Sequence, residues 1–212
     1  MIVYLLLCVL CGFFNVKGGE TMKVVAFNGS PRKGGNTHQS IQVVLAALEK
    51  DGIETELIQV GGKPLHGCIA CYKCVKNKDR ECAIKKDDLN SYVNKMIEAD
   101  GIILGSPVYF SNVTSEMKAL IDRAGLVVRA NDYLLKRKVG ASVIAVRRAG
   151  ATFAFSALNF FFFIQQMIVP GSIYWNMAMG REPGEVKDDE EGMLTFETLG
   201  QNMAWLLKKI ND

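Results

Sequence analysis

The chain has 212 residues, enough for one well-formed core and short for two. Its 49% hydrophobic and 22% charged fractions are ordinary for a globular domain. Its 25 basic residues against 22 acidic ones leave a net charge of only +3, and the basic residues are scattered, so composition argues against a nucleic-acid partner.

In chain order, the first stretch is the exception. No charged side chain occurs from Met1 to Val16, yet the run is short for a spanning helix and lacks the basic start and small-x-small site of a signal peptide. Residues 1 to 21 read as an apolar extension outside the fold, with Cys8 and Cys11 as bystanders. A membrane anchor, an export signal or a packed segment are the alternatives. The domain is expected over residues 22 to 212.

From Met22 onward strands and helices alternate. "KVVAFNGS" suits a buried strand ending in turn residues, and "THQSIQVVLAALEKDG" places Ile41, Val44, Leu45 and Leu48 at helical spacing before Gly52. "IETELIQV" is strand-like. A cysteine-bearing insert at 67–88 follows, and then "DDLNSYVNKMIEAD" reads as a helix capped by Asp87 or Asp88. "GIILGSPVYF" is a strand that should end near Ser106, since Pro107 cannot donate to a ladder. "TSEMKALIDRAG" is helical, "VGASVIAVRR" a fourth strand, and "TFAFSALNFFFFIQQMIV" a long apolar helix. A short fifth strand is expected around "GSIYWNM", ahead of a closing helix "LTFETLGQNMAWLLKKI". Five strands alternating with five helices imply an α/β fold, a doubly wound parallel sheet covered on both faces. Such sheets bind ligands beyond the carboxyl ends of their strands, where strand order reverses.

The loop after the first strand, "NGSPRKGGNTH", has neither the dinucleotide fingerprint nor the Walker A pattern. It is instead a candidate anion nest. Ser30, Asn36 and Thr37 carry short donors, Gly34 and Gly35 allow close backbone approach, and Arg32 and Lys33 add charge. The following helix points its N-terminus at the same spot. A terminal phosphomonoester suits such a site; the plainer reading is a β–α turn capped by Asn36 or Thr37.

"FNGSPRKGGNT", followed by "GSPVYFSNVTSEMKALIDR", resembles the flavodoxin-like NADPH-dependent FMN reductases, and the four-cysteine loop between them resembles the iron–sulfur flavoprotein branch. The resemblance runs from about Lys23 to the C-terminus. It implies a flavodoxin-like five-stranded fold, FMN phosphate contacts from Ser30, Arg32, Asn36 and Thr37, and ring contacts from Pro107, Val108, Tyr109 and Phe110. It also implies dimers or tetramers with flavins near subunit interfaces. Aromatic residues at a strand end are often plain core, but Tyr109 and Phe110 follow a phosphate nest in a switch-point fold. Arg147 or Arg148, ending strand four at the same edge, would favour an anionic reduced ring. Two solvated arginines are the competing reading. Asp122 and Arg123 read as ties between their helix and the body. His38 and His66 are weak candidates for any role.

The cysteines are spaced C-x2-C-x2-C-x7-C at Cys68, Cys71, Cys74 and Cys82. Disulfides fit poorly with a reducing cytosol and with thiols so close along the chain. Structural zinc takes two separated knuckles, whereas three cysteines in one tight run are closer to iron–sulfur ligation. One 4Fe–4S cluster held by all four is the leading expectation, with free or redox-active thiols and zinc as alternatives. Lys73, Lys76, Lys78, Arg80, Lys85 and Lys86 would offset the cluster's negative charge.

The expected function is that of a cytoplasmic FMN-dependent oxidoreductase. Electrons would come from NAD(P)H or a small electron carrier and pass through FMN and the cluster to an acceptor. No residue stands out as a general acid or base, so the flavin carries the chemistry. A cluster-free FMN or quinone reductase is one alternative. A non-catalytic thiol- or metal-responsive flavin-binding protein is another. No nucleic-acid or membrane partner is expected. "FAFSALNFFFFIQQMIVP", apolar nearly all round, points to a homodimer or homotetramer. "NMAMGREPGEVKDDEEG" reads as an arm or lid there.

Overall fold

The computed structural model describes residues 21–211; the proposed extension, with Cys8 and Cys11, lies almost wholly outside them. The strands are β1 (Lys23–Asn28), β2 (Glu54–Gln59), β3 (Gly101–Pro107), β4 (Val139–Val146) and β5 (Met177–Met179). The helices are α1 (Asn36–Lys50), α2 (Lys73–Asn77), α3 (Leu89–Glu98), α4 (Ser115–Ala130), α5 (Ala151–Ile164) and α6 (Glu190–Asn211), with a 3₁₀ turn at Glu185–Asp188. All strand pairs are parallel, in the order β2-β1-β3-β4-β5. This is the flavodoxin-like order, in which connections leave β1 in opposite directions and open a crevice between β1 and β3.

Two apolar layers sandwich the sheet. Ile41, Val44, Leu45 and Leu48 of α1 pack with Phe196, Leu199 and Met203 of α6 on one face, beneath Val24, Ala26 and Ile103. On the other face α3, α4 and α5 contribute Val93, Met96, Leu120 and Phe162 to a cluster with Val25, Phe27 and Ile102. β1 and β3 alternate between these layers with period two, so both faces of the central strands are apolar and the sequence reads as unbroken hydrophobic runs.

Three elements depart from the sequence-based expectation. The long apolar helix stops at Ile164, where Gln166 adopts a left-handed conformation (φ 58°), and Ile168 then bridges to Val139. The apolar run continues past the helix because it becomes sheet edge, which periodicity alone cannot separate from a buried helix. The fifth strand is correspondingly displaced, to Met177–Met179. Finally, Asp88 occupies the N-cap of α3 without capping it through its side chain. Asp87 accepts from the Leu89 N–H at 3.4 Å but is mainly committed elsewhere.

Candidate active site and cysteine pocket

The loop after β1 is held from three sides. Ser30 N donates to the Asn28 side chain (3.0 Å), and the Gln59 amide donates to the carbonyls of Ser30 and Gly61. Thr114, whose hydroxyl caps α4 by accepting from Met117 N, also donates to Gly29 O at 2.8 Å, tying the first loop to the one after β3. Gly61 lies against this loop so closely that a Cβ there would fall 2.3 Å from Gly29 O and from the Ser30 carbonyl carbon. The N-cap of α1 is Gly35, which has no side chain to satisfy the first-turn N–H groups. The Thr37 hydroxyl, in a residue 1% exposed, has no hydrogen-bond partner. A buried orphan of this kind costs about 1–3 kcal/mol, and here it stands at the positive end of a helix.

These groups line a cleft of about 360 Å³ at the carboxyl edge of the sheet, bounded by Ser30, Arg32, Asn36 and Thr37 from the first loop and Pro107, Val108 and Tyr109 from the third. Ala145 and Arg147 close one side. Gly180, Arg181 and Glu182, from the loop after β5, close the other. That last loop is latched by Asn36, whose side chain accepts from Gly184 N at 2.7 Å and donates to Glu182 O at 3.0 Å. The Asn36 amide is therefore already engaged with protein.

Two expected residues lie away from the cleft. Tyr109 and Asn112 exchange backbone hydrogen bonds (2.8 and 3.0 Å), closing a turn with Phe110 and Ser111 at φ 47° and 59°. This lifts Phe110 wholly into solvent. Arg148 is exposed outside the cleft while Arg147 lines it, as expected where successive side chains at a strand end point to opposite sides.

The four cysteines meet elsewhere. Cys68, Cys71, Cys74 and Cys82 line a small pocket closed by Ile84 and by Arg123, Leu126 and Val127 of α4, and it shares no wall residue with the cleft. Cys74 and Cys82 are buried and Cys68 and Cys71 exposed, all four as free thiols. Burial pushes the Cys74 thiol up. Among the described residues no three His, Cys, Asp or Glu side chains are arranged to hold a metal ion. The insert is fastened at several points. Asn90 exchanges hydrogen bonds with the Cys82 backbone (2.7 and 3.0 Å), and Asn131 accepts from Arg80 N at 3.1 Å. Arg123 forms a buried ion pair with Asp87, 2.5 Å apart. Burial opposes the Asp87 charge, but hydrogen bonds from Arg123 and from His66 N outweigh it and hold the carboxyl below its ordinary range.

The sequence model of the NADPH-dependent FMN reductases matches residues 22–182. The chain belongs to the NADPH-dependent FMN reductase family. Two iron-sulfur flavoproteins of Methanocaldococcus jannaschii are 39% identical over 89% of this chain and 99% of theirs, and 34% identical over 81% and 90%. The fold is shared with a flavodoxin, a WrbA-like protein from Agrobacterium tumefaciens, at a TM-score of 0.61 and 13% identity over 90% of this chain and 99% of that one.

Membership makes this chain a flavin-dependent oxidoreductase, and the site fits FMN. The orphan Thr37 hydroxyl, the uncapped first turn of α1 and the Arg32 side chain are groups that suit a phosphate dianion. Pro107, Val108 and Tyr109 line the same cleft with largely apolar surface. Sequence reasoning missed Arg181 and Glu182, whose only signal was the Gly/Pro-bearing stretch read as a lid. It also missed Gln59, a polar residue at the end of a strand whose side chain braces the nest from β2.

Proposed function

We propose that the chain is a cytoplasmic iron–sulfur flavoprotein that takes electrons from NAD(P)H or a small electron carrier and passes them through FMN, and a 4Fe–4S cluster on Cys68, Cys71, Cys74 and Cys82, to an acceptor. The orphaned Thr37 hydroxyl over the N-terminus of α1 carries the FMN assignment. Bound FMN supplies both two-electron and one-electron chemistry. The chain's own residues bind and orient it. Thr37, Ser30 and Arg32 meet the phosphate, the loop latched by Asn36 covers one side of the cleft, and Arg147 favours negative charge on the ring. Support for the cluster comes from the donor set, four free thiols in one pocket, and from the names of the relatives.

A cluster-free NAD(P)H-dependent FMN or quinone reductase is the second reading. The separation of the cysteine pocket from the cleft favours it. No charged side chain occurs between Arg148 and Arg181, and Phe155, Phe160, Phe163, Tyr174 and Trp175 line an open apolar cavity of about 550 Å³ on α5. Two copies of such an uncharged face can meet without stranding a charge, and we propose it as the contact of a homodimer or homotetramer.

Anaerobic purification with a visible spectrum and iron and sulfide analysis separates the readings. The cluster reading expects about four irons per chain and absorption near 400 nm beyond the flavin. Serine at any of the four cysteines should remove most of the iron and leave FMN bound. Zinc or no metal in a protein that still reduces acceptors through FMN selects the second reading.

A further inference from the structure

Arg123 does more than a tie between helix and body demands. Its side chain is 1% exposed, and its guanidinium donates to both ends of the insert. Nη1 reaches His66 O at 2.9 Å, just before Cys68, and Asp87 Oδ2 at 2.5 Å. Nη2 reaches Asp87 Oδ1 at 3.1 Å, Ile84 O at 3.4 Å and the Cys82 sulfur, also at 3.4 Å. Nε is buried with no partner. A residue kept only to close the loop would be satisfied by Asp87 and the two carbonyls. One N–H is instead shared with a sulfur, a weak acceptor as a thiol and a strong one as a thiolate.

We infer that Arg123 is a positioning residue for Cys82: it fixes that sulfur in the pocket and, as the cation bonded to it, favours the more negatively charged, reduced state of the group the four thiolates hold. Asp87 opposes this by one charge of the other sign. The pair therefore sets the reduction potential of the pocket, Arg123 raising it and Asp87 lowering it. On reduction the site gains one electron and no bond is made or broken, so the effect is electrostatic and reads directly as a potential. This inference rests on the proposed cluster ligation.

The test is an anaerobic redox titration, followed by visible and electron paramagnetic resonance spectra, of wild type, Arg123→Gln and Asp87→Asn. Arg123→Gln should shift the reduced-to-oxidised ratio at a fixed potential at least tenfold toward oxidised, about 59 mV downward for one electron. Asp87→Asn should shift it in the opposite direction. If Arg123→Gln loses its iron, Asp87→Asn decides alone. Wild type with about four irons and unchanged potentials in the iron-bearing variants overturns the inference and leaves the cluster reading standing. Wild type without iron overturns both.

Discussion

The loops after β1 and after β2 leave the same edge of the sheet, and they are built differently. The first is short, and the groups proposed to meet the phosphate, Ser30, Arg32 and Thr37 beside the Gly35 cap, all lie within nine residues of the strand that launches them, while Gln59 and Thr114 brace its backbone from outside. The second is long and carries its thiols up to 23 residues past its strand. Arg123 and Asn131 hold it from far along the chain and Asn90 from just beyond its end, and two of its four cysteines are exposed. A site whose groups all sit in one strand–helix junction comes with that junction. A site made of side chains exists only once a distant helix has docked, and its stability and electrostatics belong to that helix.

The largest expected effect therefore falls on the second loop. Arg123→Ala strands the Asp87 carboxylate in a buried site and should cost about 3–5 kcal/mol in urea unfolding. Arg32→Ala, on the exposed rim of the first loop, should change stability by no more than about 0.5 kcal/mol. The pH dependence follows the same pair. The Asp87 carboxyl is lowered in the folded state, so its contribution is complete above the unfolded value of about 3.9 and is lost as pH falls through the folded one. In Asp87→Asn that acid slope should flatten. Equal stabilities for the two arginine variants would erase the contrast.

Gly61 sharpens it, because there the start of the second loop packs directly on the backbone of the first. Gly61→Ala drives a Cβ into the backbone of Gly29 and Ser30. With no flexible side chain to yield, the nest must shift, and overpacking of this kind costs about 1–3 kcal/mol. FMN affinity should fall by about tenfold or more, a loss of about 1.4 kcal/mol, measured by fluorescence titration, with the accessibility of Cys68 to thiol reagents unchanged. Intact FMN affinity would mean the two loops are less closely joined than the packing implies.

The same contrast explains what could be read in advance. Ile41, Val44, Leu45 and Leu48 announce α1 by spacing, and the glycines and short polar residues of the first loop announce the nest by type, because both signals are local. Arg123 was legible as a structural tie but not as a partner of Cys82, since residues 41 positions apart meet only through the packing of α4. Phe110 was misplaced because the Tyr109–Asn112 turn, not aromaticity, decides where it points. Arg181 and Glu182 reach the cleft through tertiary bonds, Gly180 N to Val146 O and Asn36 across 146 residues of sequence to Glu182 O. The displaced β5 has the same origin: Asn176 O pairs with Ile144 N by tertiary register, not by its own pattern.

The smallest stability effect carries the most direct test, at Thr37. The wild-type protein should bind FMN at least about tenfold more tightly than riboflavin, since charge-assisted bonds to the phosphate contribute about 1.5–3 kcal/mol each. Thr37→Val removes an unpartnered buried hydroxyl at nearly constant shape, so the flavin-free protein should be as stable as wild type or slightly more so. FMN affinity should nonetheless fall about tenfold, about 1.4 kcal/mol, while riboflavin affinity stays the same. Equal loss for both flavins, or no loss for either, would contradict the placement of the FMN phosphate at the N-terminus of α1.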